Sequence, residues 1–335
     1  YFATMCLTEA HCGTDLGLIR TKAVPDNEEF RVSGQKIFIT AGEHDLSDNI
    51  IHLVLAKLPD APPGAKGISL FLVPKILVND DGSLGDRNGV TCVSIEEKMG
   101  VHGSPTCVLS FENSLGYLVG EPHKGLEAMF SMMNNERIAV GMQGLGVAEI
   151  SYQNALLYAK DRLQGRDLKG AKKPSEEADP LLVHPDIRRM LLRAKALIDS
   201  SRMLSAWTAL AIDRSIKDPD EKVRKANNDL VELMTPIIKS ILTDYGVEIS
   251  SEMLQIFGGH GYIREYGMEQ FYRDARIAPI WEGTNGIQAM DLAGRKMPQG
   301  MGRLLRRFFH PALAFIEENR GDENLKEFVL SLIHI

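Results

Sequence analysis

The chain has 335 residues, of which 44% are hydrophobic and 25% charged, with a formal net charge of −7. That length suffices for two cores of ordinary domain size, and the composition is that of a soluble globular protein. The acidic balance and the lack of any Lys/Arg-rich block argue against a sequence-independent grip on nucleic acid. No apolar run reaches the roughly 18 to 20 residues that span a bilayer, and no charged start leads into an apolar core as in a signal peptide. A soluble intracellular location is expected, cytoplasmic or, in a eukaryote, the mitochondrial matrix. Cys6, Cys12, Cys92 and Cys107 lack paired C-x-x-C spacing, so reduced thiols are expected, with neither a disulfide framework nor a metal site. The start on Tyr1-Phe2-Ala3 and the stop within the apolar Phe328–Ile333 suggest that something precedes residue 1.

From Glu29 to about Glu112 the texture is that of strands. Phe30-Arg31-Val32, a Ser33-Gly34 turn and Lys36-Ile37-Phe38-Ile39 read as a hairpin. Ile50 to Lys57, Ile68 to Pro74, Val90 to Ile95 and Cys107 to Phe111 add short apolar runs separated by turn compositions. A compact, mainly antiparallel β domain is expected over residues 1–123. After Lys124-Gly125 the apolar period becomes helical, with Met129, Met132, Met133, Ile138, Val140 and Met142 leading on to Tyr158. Arg166 to Pro185 reads as a polar loop and Lys217-Asp218-Pro219-Asp220-Glu221 as a break. Helical patterns resume at Asp186 to Ile216, Lys222 to Phe257 and Met268 to Arg276. Residues 124–300 are therefore expected to form an antiparallel helical bundle, with a further helical segment beginning in 301–335.

Four places carry chemistry. Leu7-Thr8-Glu9-Ala10-His11-Cys12-Gly13-Thr14-Asp15 offers hydroxyls and backbone amides that suit a polar ring or a phosphate, although a capped turn explains it as well. In Ile37-Phe38-Ile39-Thr40 the aromatic and the hydroxyl share one strand face, as a flat heterocycle would need and as an ordinary half-buried strand also shows. Gln255-Ile256-Phe257-Gly258-Gly259-His260-Gly261-Tyr262 ends a helix in glycines that allow close backbone approach. Ile280-Trp281-Glu282-Gly283-Thr284-Asn285 sets a glutamate among apolar residues just before a helix start at Thr284 or Asn285. Burial would raise that carboxyl toward the range of a general base, while a carboxylate resting at a helix N-terminus accounts for it equally well.

Taken in this order, with Asn135-Glu136-Arg137, Tyr158-Ala159, Arg162 and Arg273-Asp274-Ala275-Arg276, these segments resemble the acyl-CoA dehydrogenase family from the first residues to about Arg295. The resemblance implies an α+β protein: a middle antiparallel β-barrel-like domain and a C-terminal helical bundle, without the family's N-terminal helical domain. It implies FAD as cofactor, with Thr8, Phe38 and Thr40 at the flavin ring and Thr14 near the pyrophosphate. Arg162, Gln255 and Gly259 would reach the ADP portion of a neighbouring subunit's FAD, in a homodimer or homotetramer, and Thr284 would help hold the cofactor of its own subunit. Glu282 would be the base that takes the pro-R α-proton of an acyl-CoA while the β-hydrogen leaves as hydride, giving the trans-2-enoyl-CoA. Arg137 and Gly283 would contact substrate, and an electron-transferring flavoprotein would accept the electrons.

Ala41-Gly42-Glu43-His44-Asp45-Leu46, the long Arg166 to Pro185 loop and Gly259 to Glu265 are most similar to the larger subgroup that includes the 3-methylmercaptopropionyl-CoA dehydrogenases. That leaves 3-methylmercaptopropionyl-CoA or another short- or medium-chain acyl-CoA as substrate. Alternatives are an acyl-CoA oxidase, a DNA-binding flavoprotein of the alkylation-response type, which the acidic charge opposes, and a non-catalytic flavoprotein scaffold, which Glu282 in its motif opposes.

Overall fold

In the computed structural model, which describes residues 1–333, the chain forms two compact units, 1–135 and 136 onward. The first unit is built from nine strands: β1 (Phe2–Cys6), β2 (Lys22–Asp26), β3 (Glu29–Thr40), β4 (Ile50–Lys57), β5 (Ile68–Pro74), β6 (Ile76–Val78), β7 (Leu84–Arg87), β8 (Val90–Ile95) and β9 (Thr106–Val119). Antiparallel pairings run β2–β3–β9–β5–β4, and β4 returns to β2 through the parallel pair Lys22 and Lys57, so the path closes on itself as a barrel. β1 adds a parallel strand to β4, β8 pairs with the first half of β9, and β6 and β7 form a separate small ribbon. Closure removes exposed sheet edges and lets alternate residues fill one interior. Cys6, Val32, Ile39, Val54, Phe71, Val73, Leu109 and Phe111 are among those that do so.

The runs at 50–57, 68–74 and 90–95 form strands with the expected bounds. The hairpin at Ser33-Gly34 does not form. β3 runs through it as one strand with a register shift at Val32/Gly34, and Gly34 lies so close to Thr21 that a Cβ there would come within 2.5 Å of the threonine hydroxyl. The turn is instead at Asn27, which takes a left-handed φ of 57° between β2 and β3. Ser-Gly is turn chemistry in isolation, but cross-strand packing against β9 turns it into a bulge.

Helix α1 (Gly125–Asp161) starts where the period changes and runs across the division between the units. Its first turns belong to the first unit because Met129 and Met133 bury against Leu55, Ile68 and Leu70. The boundary between the compact units, at 135/136, falls inside this helix. The second unit continues with α2 (Pro185–Lys217), α3 (Glu221–Ile256), α4 (Met268–Ala275), α5 (Asn285–Asp291), α6 (Gln299–Asn319) and α7 (Lys326–Ile333).

The α2–α3 pair is antiparallel, with Arg193 reaching Glu248 at 2.5 Å and Glu252 at 2.9 Å. α6 is tied to α3 by Asp229, which accepts Arg303 Nε at 3.0 Å, Arg303 Nη2 at 2.9 Å and Arg307 Nε at 3.3 Å. The long loop between α1 and α2 is organised by the buried Asp179, whose carboxylate accepts the backbone N–H groups of Asp167, Lys172 and Lys173 at 3.0, 2.9 and 2.7 Å.

α1 comes close to α3 at Gly144, where a Cβ would sit 2.4 Å from the Leu242 carbonyl oxygen. Backbone cannot step aside as a flexible side chain can, so Gly144→Ala is expected to cost about 2 kcal/mol from overpacking, after its gain in helix propensity. A thermal melt of the variant checks this, and an unchanged midpoint would show that the contact relaxes.

Candidate active site

In the second unit α3 ends at Ile256 in a glycine-rich turn, α4 follows, and the chain then tightens through Pro279–Asn285 into α5. The Asn285 N–H donates to Pro279 O at 3.0 Å and the Trp281 N–H to Ile277 O at 3.1 Å. Within this turn Glu282 has φ 53° and Gly283 φ 86°. Two consecutive left-handed residues sharpen the turn, and a non-glycine residue in that region is strain that the surrounding bonds must hold. Gln288, itself buried, supplies one of those bonds from Nε2 to Gly283 O at 3.0 Å, and a Cβ on Gly283 would come within 2.8 Å of the same nitrogen.

The two sequence-level readings of Glu282 separate here. The cap of α5 is Thr284, whose hydroxyl accepts the Ile287 N–H at 3.3 Å, so Glu282 does not cap that helix. Its half-buried carboxylate, like its own backbone N–H, has no hydrogen-bond partner among the described residues. Burial raises the Glu282 carboxyl above its ordinary value, and the negative charge of Glu136 pushes the same way, against the cations Arg137 and Lys239. A carboxylate partly shielded from water, unspent on the protein and made more basic is equipped to take a proton.

Arg137 projects from α1 beside this turn, 3% exposed, with Nη1 3.2 Å from Asp291 Oδ2; a Cβ on Gly283 would lie 3.6 Å from its Nη2. Asp291 is shared with Arg295 at 2.7 Å. The expected substrate-contact residues Arg137 and Gly283 are thus brought together with Glu282. Sequence reasoning missed Lys239, fully buried on α3, and Asn285 as its partner at 2.9 Å. The available signal was a lysine in the apolar run Pro236-Ile237-Ile238-Lys239-Ser240-Ile241-Leu242.

At the C-terminal end of α3, Tyr158 Oη lies 2.8 Å from His260 Nδ1 and its ring stacks on Phe257 at 4.0 Å. These contacts bring the end of α1, with exposed Arg162, to the exposed Gln255 and Gly259. The side chains of Arg162 and Gln255 have no hydrogen-bond partner among the described residues.

In the first unit, Thr8 lies in the loop that follows β1, pinned to β3 by the Ile37 N–H donating to Thr8 O at 2.9 Å. Lys36, fully buried, donates to Leu7 O and to Glu9 Oε1, both at 2.9 Å. Glu9 also accepts the Thr21 N–H and hydroxyl at 3.0 and 2.7 Å and the Arg20 N–H at 2.7 Å. Burial alone would raise Glu9, but Lys36, Thr21 and Arg20 hold its carboxyl down at about 2. His11 and Cys12 place ligand atoms within 4.8 Å of Glu9, yet those hydrogen bonds already engage both of its oxygens.

A bulge between Lys36 and Ile39 interrupts the alternation expected for 37–40. Phe38, at φ 60°, is 60% exposed, and Thr40 is exposed with it while Ile39 is buried. The hydroxyls of Thr8, Thr14 and Thr40 have no partner among the described residues.

Two family models match the chain: the acyl-CoA dehydrogenase middle domain over residues 4–114 and the acyl-CoA dehydrogenase C-terminal domain over 123–297. The chain belongs to the acyl-CoA dehydrogenase family. It is 50% identical to a 3-methylmercaptopropionyl-CoA dehydrogenase of Ruegeria pomeroyi over 91% of this chain and 51% of that protein. It is 39% identical to a butyryl-CoA dehydrogenase of Syntrophomonas wolfei, over 98% of this chain and 55% of that one. Acyl-CoA dehydrogenases therefore include relatives about twice as long as this chain, which spans about half the length of those two. Among solved structures, butyryl-CoA dehydrogenase from Megasphaera elsdenii superposes with a TM-score of 0.66 at 29% identity, covering 87% of this chain and 67% of that one. ACDH-11 of Caenorhabditis elegans, at 24% identity, shares the fold with a TM-score of 0.82 over 97% of this chain and 51% of its own. The 50% relative agrees with the subgroup resemblance in the sequence. Among the described residues no helix is long and apolar enough to cross a membrane.

Proposed function

We propose that this chain carries the catalytic base and much of the cofactor site of an FAD-dependent acyl-CoA dehydrogenase, with Glu282 removing the α-proton of the thioester. The observation that carries the reading is the Glu282 carboxylate, raised in basicity and without a partner among the described residues. The residues present suit FAD. Unengaged hydroxyls on Thr8 and Thr40 beside the exposed face of Phe38 suit a flat ring with hydrogen-bonding edges, and Thr14 suits a phosphate. Arg162, Gln255 and Gly259 offer donors and open backbone for an adenine dinucleotide tail, which in an oligomer would come from a neighbouring subunit. Thr284 retains a hydroxyl hydrogen to donate. When bound, FAD supplies the two-electron acceptor for the hydrogen that leaves the β-carbon.

The protein's own task is the other hydrogen. An α-proton of a thioester is too weakly acidic for a carboxylate in water, so the carbonyl oxygen must be hydrogen-bonded as charge grows on it. The unpartnered Glu282 N–H is suited to that, and Arg137 holds positive charge beside the turn. A short acyl-CoA, with the 3-methylmercaptopropionyl thioester foremost, is the proposed substrate, supported by the names of the relatives at 50% and 39% identity. An electron-transferring flavoprotein is the proposed acceptor.

The test is the pH dependence of anaerobic flavin reduction with a panel of acyl-CoAs. Because the base must be ionised, the rate is expected to fall as pH drops through a midpoint above the 4.5 of an ordinary glutamate. A midpoint at or below that value would contradict the assignment.

A further inference from the structure

Lys239 is 0% exposed, and among the described residues no carboxylate lies within 4.0 Å of its ammonium. A cation so buried loses its hydration, and one neutral acceptor, Asn285 Oδ1 at 2.9 Å, returns only part of it. The rest of the Asn285 side chain is equally committed: Nδ2 donates to Asp244 Oδ1 at 2.8 Å, Thr243 Oγ1 at 3.1 Å and Ser240 O at 3.3 Å. Asn285 is the first residue of α5, three after Glu282, and its own N–H closes the turn on Pro279 O at 3.0 Å. One amide side chain therefore fastens the left-handed Glu282-Gly283 turn to α3, and Lys239 is the charged end of that fastening. An apolar residue would fill the same interior at less cost.

We propose that Lys239 is a positioning residue for the Glu282 base, fixing its turn through Asn285 and supplying the buried positive charge that keeps the base ionised during turnover. Lys239 acts on Glu282 from α3 and Arg137 from α1. The other charged groups around the turn are Asp244 on α3, Glu136 on α1, and Asp291 with Arg295 at the end of α5. Burial lowers Lys239 to about 8, with Asp244 and Glu282 opposing and Arg137 reinforcing, so the lysine is largely cationic at neutral pH and its effect on Glu282 persists there.

The inference rests on Glu282 being the base. Its test compares Lys239→Met, Lys239→Gln and Lys239→Arg in the flavin-loaded protein. Three quantities are read: the acid limb of anaerobic flavin reduction, the infrared titration of the Glu282 carboxyl without substrate, and the thermal midpoint. Losing the cation raises the Glu282 pKa, so Met and Gln are expected to move both the limb and the infrared titration to higher pH by about one unit, and Arg to restore them. Gln keeps an amide donor toward Asn285 and separates charge from the hydrogen bond. Met is expected to leave the thermal midpoint unchanged or raised, since a buried charge is replaced by a chain of similar shape.

An unshifted limb and titration in Met and Gln would overturn the proposal, as would an equal loss of rate at every pH with a lowered midpoint. Failure of both neutral variants to fold would make the lysine structural and would also overturn it. Glu282→Gln measured alongside separates the two readings. If that variant reduces flavin at the wild-type rate, the base assignment fails and this inference with it. If it is inactive while Lys239→Met leaves the limb in place, only this inference fails.

Discussion

Glu282→Gln is expected to slow flavin reduction by acyl-CoA on the order of 10³-fold, the central part of the range for removing a positioned general base. The amide keeps the shape and reach of the side chain but cannot accept a proton. Thr284 continues to cap α5, and Gln288 continues to hold Gly283, so flavin content and the thermal midpoint should match those of the parent protein. Stopped-flow reduction under anaerobic conditions reads the rate. A Gln variant that bleaches the flavin as fast as wild type would transfer the proton to another group. Gly283→Ala tests the same turn from its backbone: the added Cβ meets Gln288 at 2.8 Å at a φ of 86°, so reduction should slow even though no ionisable group is lost.

The second large effect lies in the first unit. Glu9→Gln leaves the Lys36 ammonium buried without a counter-charge, with only neutral acceptors, the Leu7 carbonyl at 2.9 Å and the amide oxygen, in reach. Breaking one side of such a pair costs about 3–5 kcal/mol, because the surviving charge stays desolvated. The variant's melt is therefore expected to fall by roughly 10 °C, and the loop carrying Thr8 should loosen with it. Adding Lys36→Met to Glu9→Gln removes the stranded charge and is expected to recover much of the loss. A Glu9→Gln midpoint equal to the parent's would show that water or a neighbour replaces the carboxylate. The pair also sets an acid dependence. The folded Glu9 carboxyl is depressed to about 2 from 4.5, so its contribution is fully present above the unfolded value and is lost as pH falls from there toward 2.

Much of this was legible in the sequence wherever one interaction dominates. Ile50–Lys57 and Ile68–Pro74 gave strands with the expected bounds because most of their residues are buried, Val90–Ile95 did so by pairing with β9 although mostly exposed, and the Lys217–Glu221 break falls between α2 and α3 because Pro219 and its acidic neighbours suit no helix interior. The segment order that resembles the acyl-CoA dehydrogenases led to Glu282, and local chemistry led to the helix start at Thr284. What stayed hidden depends on partners distant in the chain. Ser33-Gly34 reads as a turn until β9 is laid against it. Lys36 sits in a strand pattern whose alternation is broken by a bulge, and only the fold shows that Glu9, 27 positions earlier, is its counter-charge. Lys239 and Asn285 are 46 positions apart. For Glu282 local chemistry alone left base and helix-end carboxylate open, and what only the fold could add is that the cap of α5 belongs to Thr284.

The most direct measurement isolates proton removal from everything that follows it. An acyl-CoA with sulfur in place of the β-carbon keeps its α-hydrogens but has no β-hydrogen to lose, so any exchange of those α-hydrogens with D2O reports the base alone. Followed by proton NMR, the wild-type protein is expected to wash out the α-proton signal in a reaction that requires the protein and weakens as pH falls below the raised pKa of Glu282, while Glu282→Gln leaves it in place. Exchange by the Gln variant at the wild-type rate would contradict the assignment of Glu282 as the base.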